Sequence, residues 1–217
     1  MSGYDYIRDP AEIYRESFRR IREAADLSAL PEDLHPLARR LIHAVGRPEV
    51  VDALRWSGGA LAAGRAALDA GTPVLVDSKM VAAGIVRARL PRRNDVLCLL
   101  DAPGVAGTAQ RLGTTRSAAQ VAYWTPWLEG AVVAIGNAPT ALFALLEAVE
   151  AGAPKPALVL GLPVGFVGAA ESKQALIDAA DDLDLAYIAL TGREGGSALA
   201  AAAVNALAVG NPEETGS

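Results

Sequence analysis

Apolar residues recur in two rhythms along this chain, and one gives way to the other near residue 60. Up to that point the spacing is helical. Asp9-Pro10-Ala11-Glu12 supplies a start: an aspartate to cap, a proline suited to the first turn, and a glutamate placed for a capping box. From there Ile13, Tyr14, Phe18, Ile21 and Ala24 fall on one arc, which predicts a helix to about Ala25. A second helix is predicted from near Pro36 to Gly46, with Pro48 enforcing the stop. Beyond it come short apolar runs at 73–76, 96–100, 131–135, 157–160 and 186–190, separated by helical stretches. Runs without alternation mark strands buried on both faces, and so a parallel sheet covered by helices on each side. The pattern predicts an α/β fold: a three-layer, doubly wound, mostly parallel sheet of about five strands with an N-terminal helical segment. No repeat, heptad or long linker divides the chain, so one domain is expected over 1–210 and a disordered tail over 211–217.

Composition narrows the function classes. At 217 residues, with 52% hydrophobic and 21% charged, the chain can bury a sizeable core. Its net charge of −5 argues against nucleic acid, because phosphate binding draws on an excess of Lys and Arg. The apolar content is high for a monomer and favours a buried interface between copies. Cys98 is the only cysteine, which excludes an internal disulfide and a thiolate metal cluster; inside an apolar run it reads as core. The opening Met-Ser-Gly-Tyr-Asp-Tyr has no signal-peptide pattern, and stretches such as 157–170 are too short and too broken by Gly and Pro to span a membrane. A cytoplasmic protein with no membrane partner is expected.

In such a sheet, ligands bind beyond the carboxyl ends of the strands, where loops run into helix N-termini. Here those loops are Gly136-Asn137-Ala138-Pro139-Thr140 after the third run, 161–168 after the fourth and 191–197 after the fifth. The loop after the second run leads to Gly113-Thr114-Thr115-Arg116-Ser117. Helix starts offer free N–H groups and partial positive charge, and glycine lets a ligand come close. Any one such glycine can serve simply as a turn or cap. Several converging on one edge suit a ligand with several anionic groups, with Arg116 as a forked donor. The nucleotide motifs are missing: Pro163 stands where GxGxxG needs its second glycine, and no Walker A or GxSxG sequence occurs.

Of the two histidines, His35 precedes a proline at a helix start and reads as solvated or capping. His43 lies within the second helix. There Leu37, Ala38, Leu41, Ile42, Ala44 and Val45 fill one arc, while Arg39, His43 and Arg40 fill the other. Two readings fit: a solvated basic face, or an imidazole in an arginine-flanked anion site whose pKa rises when carboxylates arrive. A metal role is disfavoured, since no carboxylate or second histidine stands three or four residues away. Ser17 falls inside the apolar arc of the first helix, where a serine either bonds back to its own helix or faces a ligand.

In order along the chain, Tyr4-Asp5-Tyr6-Ile7-Arg8-Asp9, Arg40-Leu41-Ile42-His43-Ala44, Asp77-Ser78-Lys79-Met80-Val81 and Thr115-Arg116-Ser117 are followed by Gly136-Asn137-Ala138-Pro139-Thr140-Ala141-Leu142. Then come Pro163-Val164-Gly165-Phe166-Val167-Gly168, Glu171-Ser172-Lys173 and Gly195-Gly196-Ser197. This ordered set, from about Tyr4 to about Ala208, resembles the precorrin-8X methylmutases of cobalamin biosynthesis. Those isomerases move a methyl group from C11 to C12 of the corrin precursor, giving hydrogenobyrinic acid, or cobyrinic acid from cobalt-precorrin-8. The resemblance implies a doubly wound fold, a homodimer with the site near the subunit interface, no cofactor, and a corrin precursor with multiple carboxylates as partner. It implies His43 as proton donor and acceptor, with Ser17 and Arg40 as substrate contacts. Arg116 and Asn137 are further substrate contacts from the motifs around them. Two rivals are a non-catalytic corrinoid carrier and a nucleotide-dependent α/β oxidoreductase, the latter disfavoured by the missing fingerprint.

Overall fold

The computed structural model describes residues 4–209, so the tail expected at 211–217 lies outside the described residues. Helix α1 (Pro10–Ala24) starts as the sequence predicts: the Asp9 carboxylate accepts from the Glu12 N–H at 2.7 Å. Helix α2 (His35–Val45) ends at Gly46. His35 is not a solvated residue. It is half-buried, and its Nε2–H donates to the carbonyls of both Leu27 and Leu30 at 3.1 Å, tying down the α1–α2 connection. Because carbonyls only accept, the proton of neutral His35 sits on Nε2.

The chain continues through β1 (Leu54–Trp56), α3 (Ala60–Asp69), β2 (Val74–Val76), α4 (Lys79–Gly84), β3 (Val96–Leu97), α5 (Val105–Leu112), α6 (Arg116–Ala119), α7 (Thr125–Leu128), β4 (Val132–Ile135), α8 (Pro139–Glu150), β5 (Leu158–Gly161), α9 (Ala169–Leu183), β6 (Tyr187–Leu190) and α10 (Ser197–Val209). The strands form a six-stranded sheet in the order β1-β6-β5-β4-β2-β3, parallel except for β1, which runs antiparallel to β6. The count corrects the expected five. Strand β1 falls in the segment read as helical; three residues long and broken by Arg55, it owes its conformation to pairing with β6 in the register Leu54↔Leu190. Cys98 is also corrected. It stands just past β3, only half-buried at the margin of the core, and that burial pushes its thiol pKa up.

Alternation along the strands builds the three layers. Val74, Val76, Val132, Ala134, Leu158, Leu160, Ile188 and Leu190 face one core, shared with α2, α3, α4 and α10. Leu75, Val133, Ile135, Val159 and Ala189 face a second core beneath α8 and α9. Helix α10 is buried along most of its length, since α2 packs over it and Asn205 ties it to α4, donating to the Gly84 carbonyl and accepting from the Val86 N–H. Leu37 and Leu41, which attach α2 to this layer, have no exposed surface, and each contributes about 2 kcal/mol.

Two features set the carboxyl edge of the sheet. Gly136 leaves room for α10: a β-carbon there would lie 2.7 Å from that of Ala200. Gly195, at φ +153, would place one 2.3 Å from the Leu162 carbonyl oxygen. The 191–197 loop thus closes directly onto the end of β5, and the Gly196 N–H donates to that same carbonyl at 2.8 Å.

Candidate functional site

Helix geometry puts Tyr14, Ser17 and Phe18 on one face of α1, and Arg40 and His43 on one face of α2. The two faces meet. The Ser17 hydroxyl lies 2.9 Å from His43 Nδ1. The Phe18 ring stacks on the imidazole, with centroids 5.0 Å apart and planes inclined by 23°, and Tyr14 approaches it edge-on at 6.0 Å. The Arg40 guanidinium lies 5.7 Å from the Tyr14 centroid and 5.5 Å from that of Phe18.

This arrangement changes the reading of both arcs. Arg40 was expected on the polar face; α1 crosses over that face and leaves Arg40 only 7% exposed, with Nε and Nη2 buried and making no hydrogen bond among the described residues. Ile13, expected in the apolar arc of α1, is 49% exposed. Desolvation against the two aromatic rings lowers the pKa of His43 below the usual imidazole value, and the charge of Arg40 lowers it further. The imidazole remains open to solvent on its other side.

Just past α2, Arg47 pairs with Glu194 of the 191–197 loop, which brings this cage to the carboxyl edge of the sheet. Lys173 holds the same loop from beneath: without exposed surface, its ammonium donates to the Glu194 carbonyl at 2.5 Å. Burial lowers its pKa to about 8.

The other two predicted residues stand elsewhere on this edge. Thr115 caps α6, and its hydroxyl lies 2.8 Å from that of Thr140 on α8, so Arg116 and Asn137 flank one corner. Arg116 is 3.4 Å from Asp101, whose closer partner is Lys79. No hydrogen bond or ion pair among the described residues joins this corner to the cage holding Ser17, Arg40 and His43.

The loop after β4 corrects the expectation of free helix-start amides. Asp77, the first residue past β2, turns its carboxylate across the edge and accepts from the N–H groups of Gly136 at 3.0 Å, Asn137 at 2.8 Å and Ala138 at 2.6 Å. Neither Asp77 nor Lys173 was singled out for a role, although both lie in the motifs quoted above. A charged residue directly after a fully apolar strand, as Asp77 is, was the available signal. Among the described residues no group of three or more His, Cys, Asp or Glu is placed to hold a metal, and no helix is long and apolar enough to cross a membrane.

From β2 the chain runs outward to β3 and returns on the other side of β2 to β4, so the direction of winding reverses between β2 and β4. That crevice is where doubly wound proteins take nucleotides, and here Asp77 fills it. Fold and site define a doubly wound α/β protein whose reversal point is closed by its own carboxylate and whose outer helix carries a histidine caged by a serine and two aromatic rings. The precorrin-8X methylmutase family profile matches residues 12–209. A precorrin-8X methylmutase of Pseudomonas aeruginosa is 60% identical over 94% of this chain and 97% of that protein, and one of Sinorhizobium sp is 52% identical over 96% and 98%. A crystal structure of the precorrin-8X methyl mutase of Thermus thermophilus superposes with a TM-score of 0.81 at 44% identity, covering 90% of this chain and 93% of that one. This chain belongs to the precorrin-8X methylmutase family.

Proposed function

We propose that this chain is a methylmutase that moves a methyl group from C11 to C12 of precorrin-8X to give hydrogenobyrinic acid, with His43 as proton donor and acceptor. One observation carries the reading: a buried, unpaired guanidinium, that of Arg40, stands one helical turn from a histidine bonded to a serine. A buried charge without a counter-ion is costly, and a carboxylate of the corrin precursor supplies one. Ser17 can accept from Nδ1–H in both the neutral and the charged ring, which leaves Nε2 to exchange the proton. His43 protonates the conjugated macrocycle; the bond from the methyl carbon to C11 breaks as the bond to C12 forms; the proton then returns to His43. Nothing is oxidised and no group is added or lost, so the step requires no cofactor. Arg116 and Asn137 serve further carboxylates and polar groups, and the exposed Phe166 and Val167 suit the apolar faces of the ring.

The metal-free substrate is favoured because the Pseudomonas and Sinorhizobium relatives, 60% and 52% identical, are precorrin-8X methylmutases. The same reading makes the protein a cytoplasmic enzyme, since a polycarboxylate substrate has no chemical need of a membrane. The test is to mix the protein with precorrin-8X and follow the absorbance change on formation of the corrin. Conversion is expected without nicotinamide; binding without conversion marks a carrier.

A homodimer belongs to the proposal, because Ile13, one helical turn from Ser17 on α1, is exposed, as are Tyr4 and Tyr6 ahead of that helix. Light scattering at micromolar concentration is expected to give twice the chain mass, and the monomer mass alone counts against a site completed by a second copy.

Proton linkage offers an independent check. The lowered pKa keeps His43 neutral in the empty site at pH 7, and an arriving carboxylate raises it. Calorimetry of hydrogenobyrinic acid binding, repeated in buffers of different ionisation heat, is expected to show net proton uptake that His43→Asn abolishes. Equal uptake by the variant assigns the proton to another group.

A further inference from the structure

Asp77 has no exposed surface, and its carboxylate meets only N–H donors on both oxygens: Gly136 at Oδ1, Asn137 and Ala138 at Oδ2. Those amides precede Pro139, where α8 begins, so the carboxylate occupies the partial positive charge at the N-terminus of a twelve-residue helix. The main-chain carbonyl of Asp77 is held as well, accepting from Nε2 of the fully buried Gln120 at 2.8 Å. One residue therefore joins three segments far apart in sequence: the end of β2, the loop after β4 and the turn after α6. Burial pushes the Asp77 pKa up, and the three amides pull it back down. Asn137, whose own N–H is one of the three, is exposed at the carboxyl edge of the sheet.

We propose that Asp77 is a positioning residue for the methyl shift: its carboxylate is an internal anion that locks the 136–138 loop and so fixes Asn137 against the macrocycle. This rests on the reading of Asn137 as a substrate contact. The carboxylate acts only through the amides it holds and never meets the substrate. A free carboxylate of the same size can replace it once the side chain is cut back, because the same three N–H groups remain aimed at the vacated position.

The test compares Asp77→Ala, Asp77→Asn and Asn137→Ala in the full chain, at a temperature well below each thermal midpoint. Asp77→Ala is expected to lower kcat/KM for precorrin-8X about 10- to 100-fold, as displacement of a positioned group by an ångström does. Formate is expected to restore several-fold of that loss with saturation, while chloride at equal ionic strength and bulky benzoate restore none. Where Asp77→Ala does not fold, Asp77→Asn serves: it keeps the shape, sets an NH2 against amide donors, and is expected to lose activity that formate cannot restore. A folded Asp77→Ala or Asp77→Asn with wild-type kcat/KM overturns the proposal, and so does a loss in folded Asp77→Ala on which formate has no effect. Wild-type activity of Asn137→Ala beside a formate-rescued Asp77→Ala removes Asn137 as a contact but leaves Asp77 as the residue that positions the loop.

Discussion

Replacing His43 with alanine is expected to lower turnover of precorrin-8X by about 10²–10⁴-fold, the usual contribution of a general acid–base group, while binding of hydrogenobyrinic acid stays close to wild type. The two effects separate because the groups do. The imidazole is open to solvent, so its loss removes one bond to Ser17 and one ring face against Phe18. In the proposed binding mode Arg40, Arg116 and Asn137 remain to hold the substrate. His35, the other histidine, cannot take over, because its Nε2 is committed to two carbonyls of the α1–α2 connection. His35→Ala is expected to cost stability, about 1 kcal/mol, with kcat unchanged in the folded protein. Near-wild-type turnover by His43→Ala would return that residue to a solvated helix face.

Arg40→Leu is expected to weaken binding of hydrogenobyrinic acid by about 10- to 100-fold, the range of a charge-assisted hydrogen bond to a buried partner, and yet to make the empty protein more stable. A guanidinium with 7% exposure and two unpartnered nitrogens is a standing cost to the fold, offset only in part by its contacts with Tyr14 and Phe18. Leucine fills the space without that charge, so the thermal midpoint is expected to rise, corresponding to about 1 kcal/mol. A third readout follows from the same geometry. Arg40 is one cause of the lowered His43 pKa, so the imidazole should titrate at higher pH in the variant, as NMR of the ring protons can follow. Weaker binding with unchanged or lower stability would make Arg40 a structural residue instead of a held charge awaiting its counter-ion.

What could be read from the chain alone is whatever is decided locally. The start of α1 at Asp9 and the end of α2 at Gly46 depend on capping within a few residues, and both stand as predicted. The five parallel strands announced themselves because burial on both faces demands unbroken apolar runs, and His43 was set apart by its place on a helical wheel. Family membership, too, was legible in the ordered motifs. The tertiary structure decided the rest. Strand β1 exists because β6, far along the chain, offers an edge for three residues to pair with. Ser17 had two possible partners by sequence, and the crossing of α1 over α2 gave it His43; the same crossing buried Arg40 on what its own helix marks as a polar face. Asp77 could not be joined to residues 136–138 by any spacing, since strand order alone sets the ends of β2 and β4 side by side. Periodicity reports which face of an element is covered. Which element covers it, and which charge is thereby left inside, depends on how the elements cross and in what order they pair.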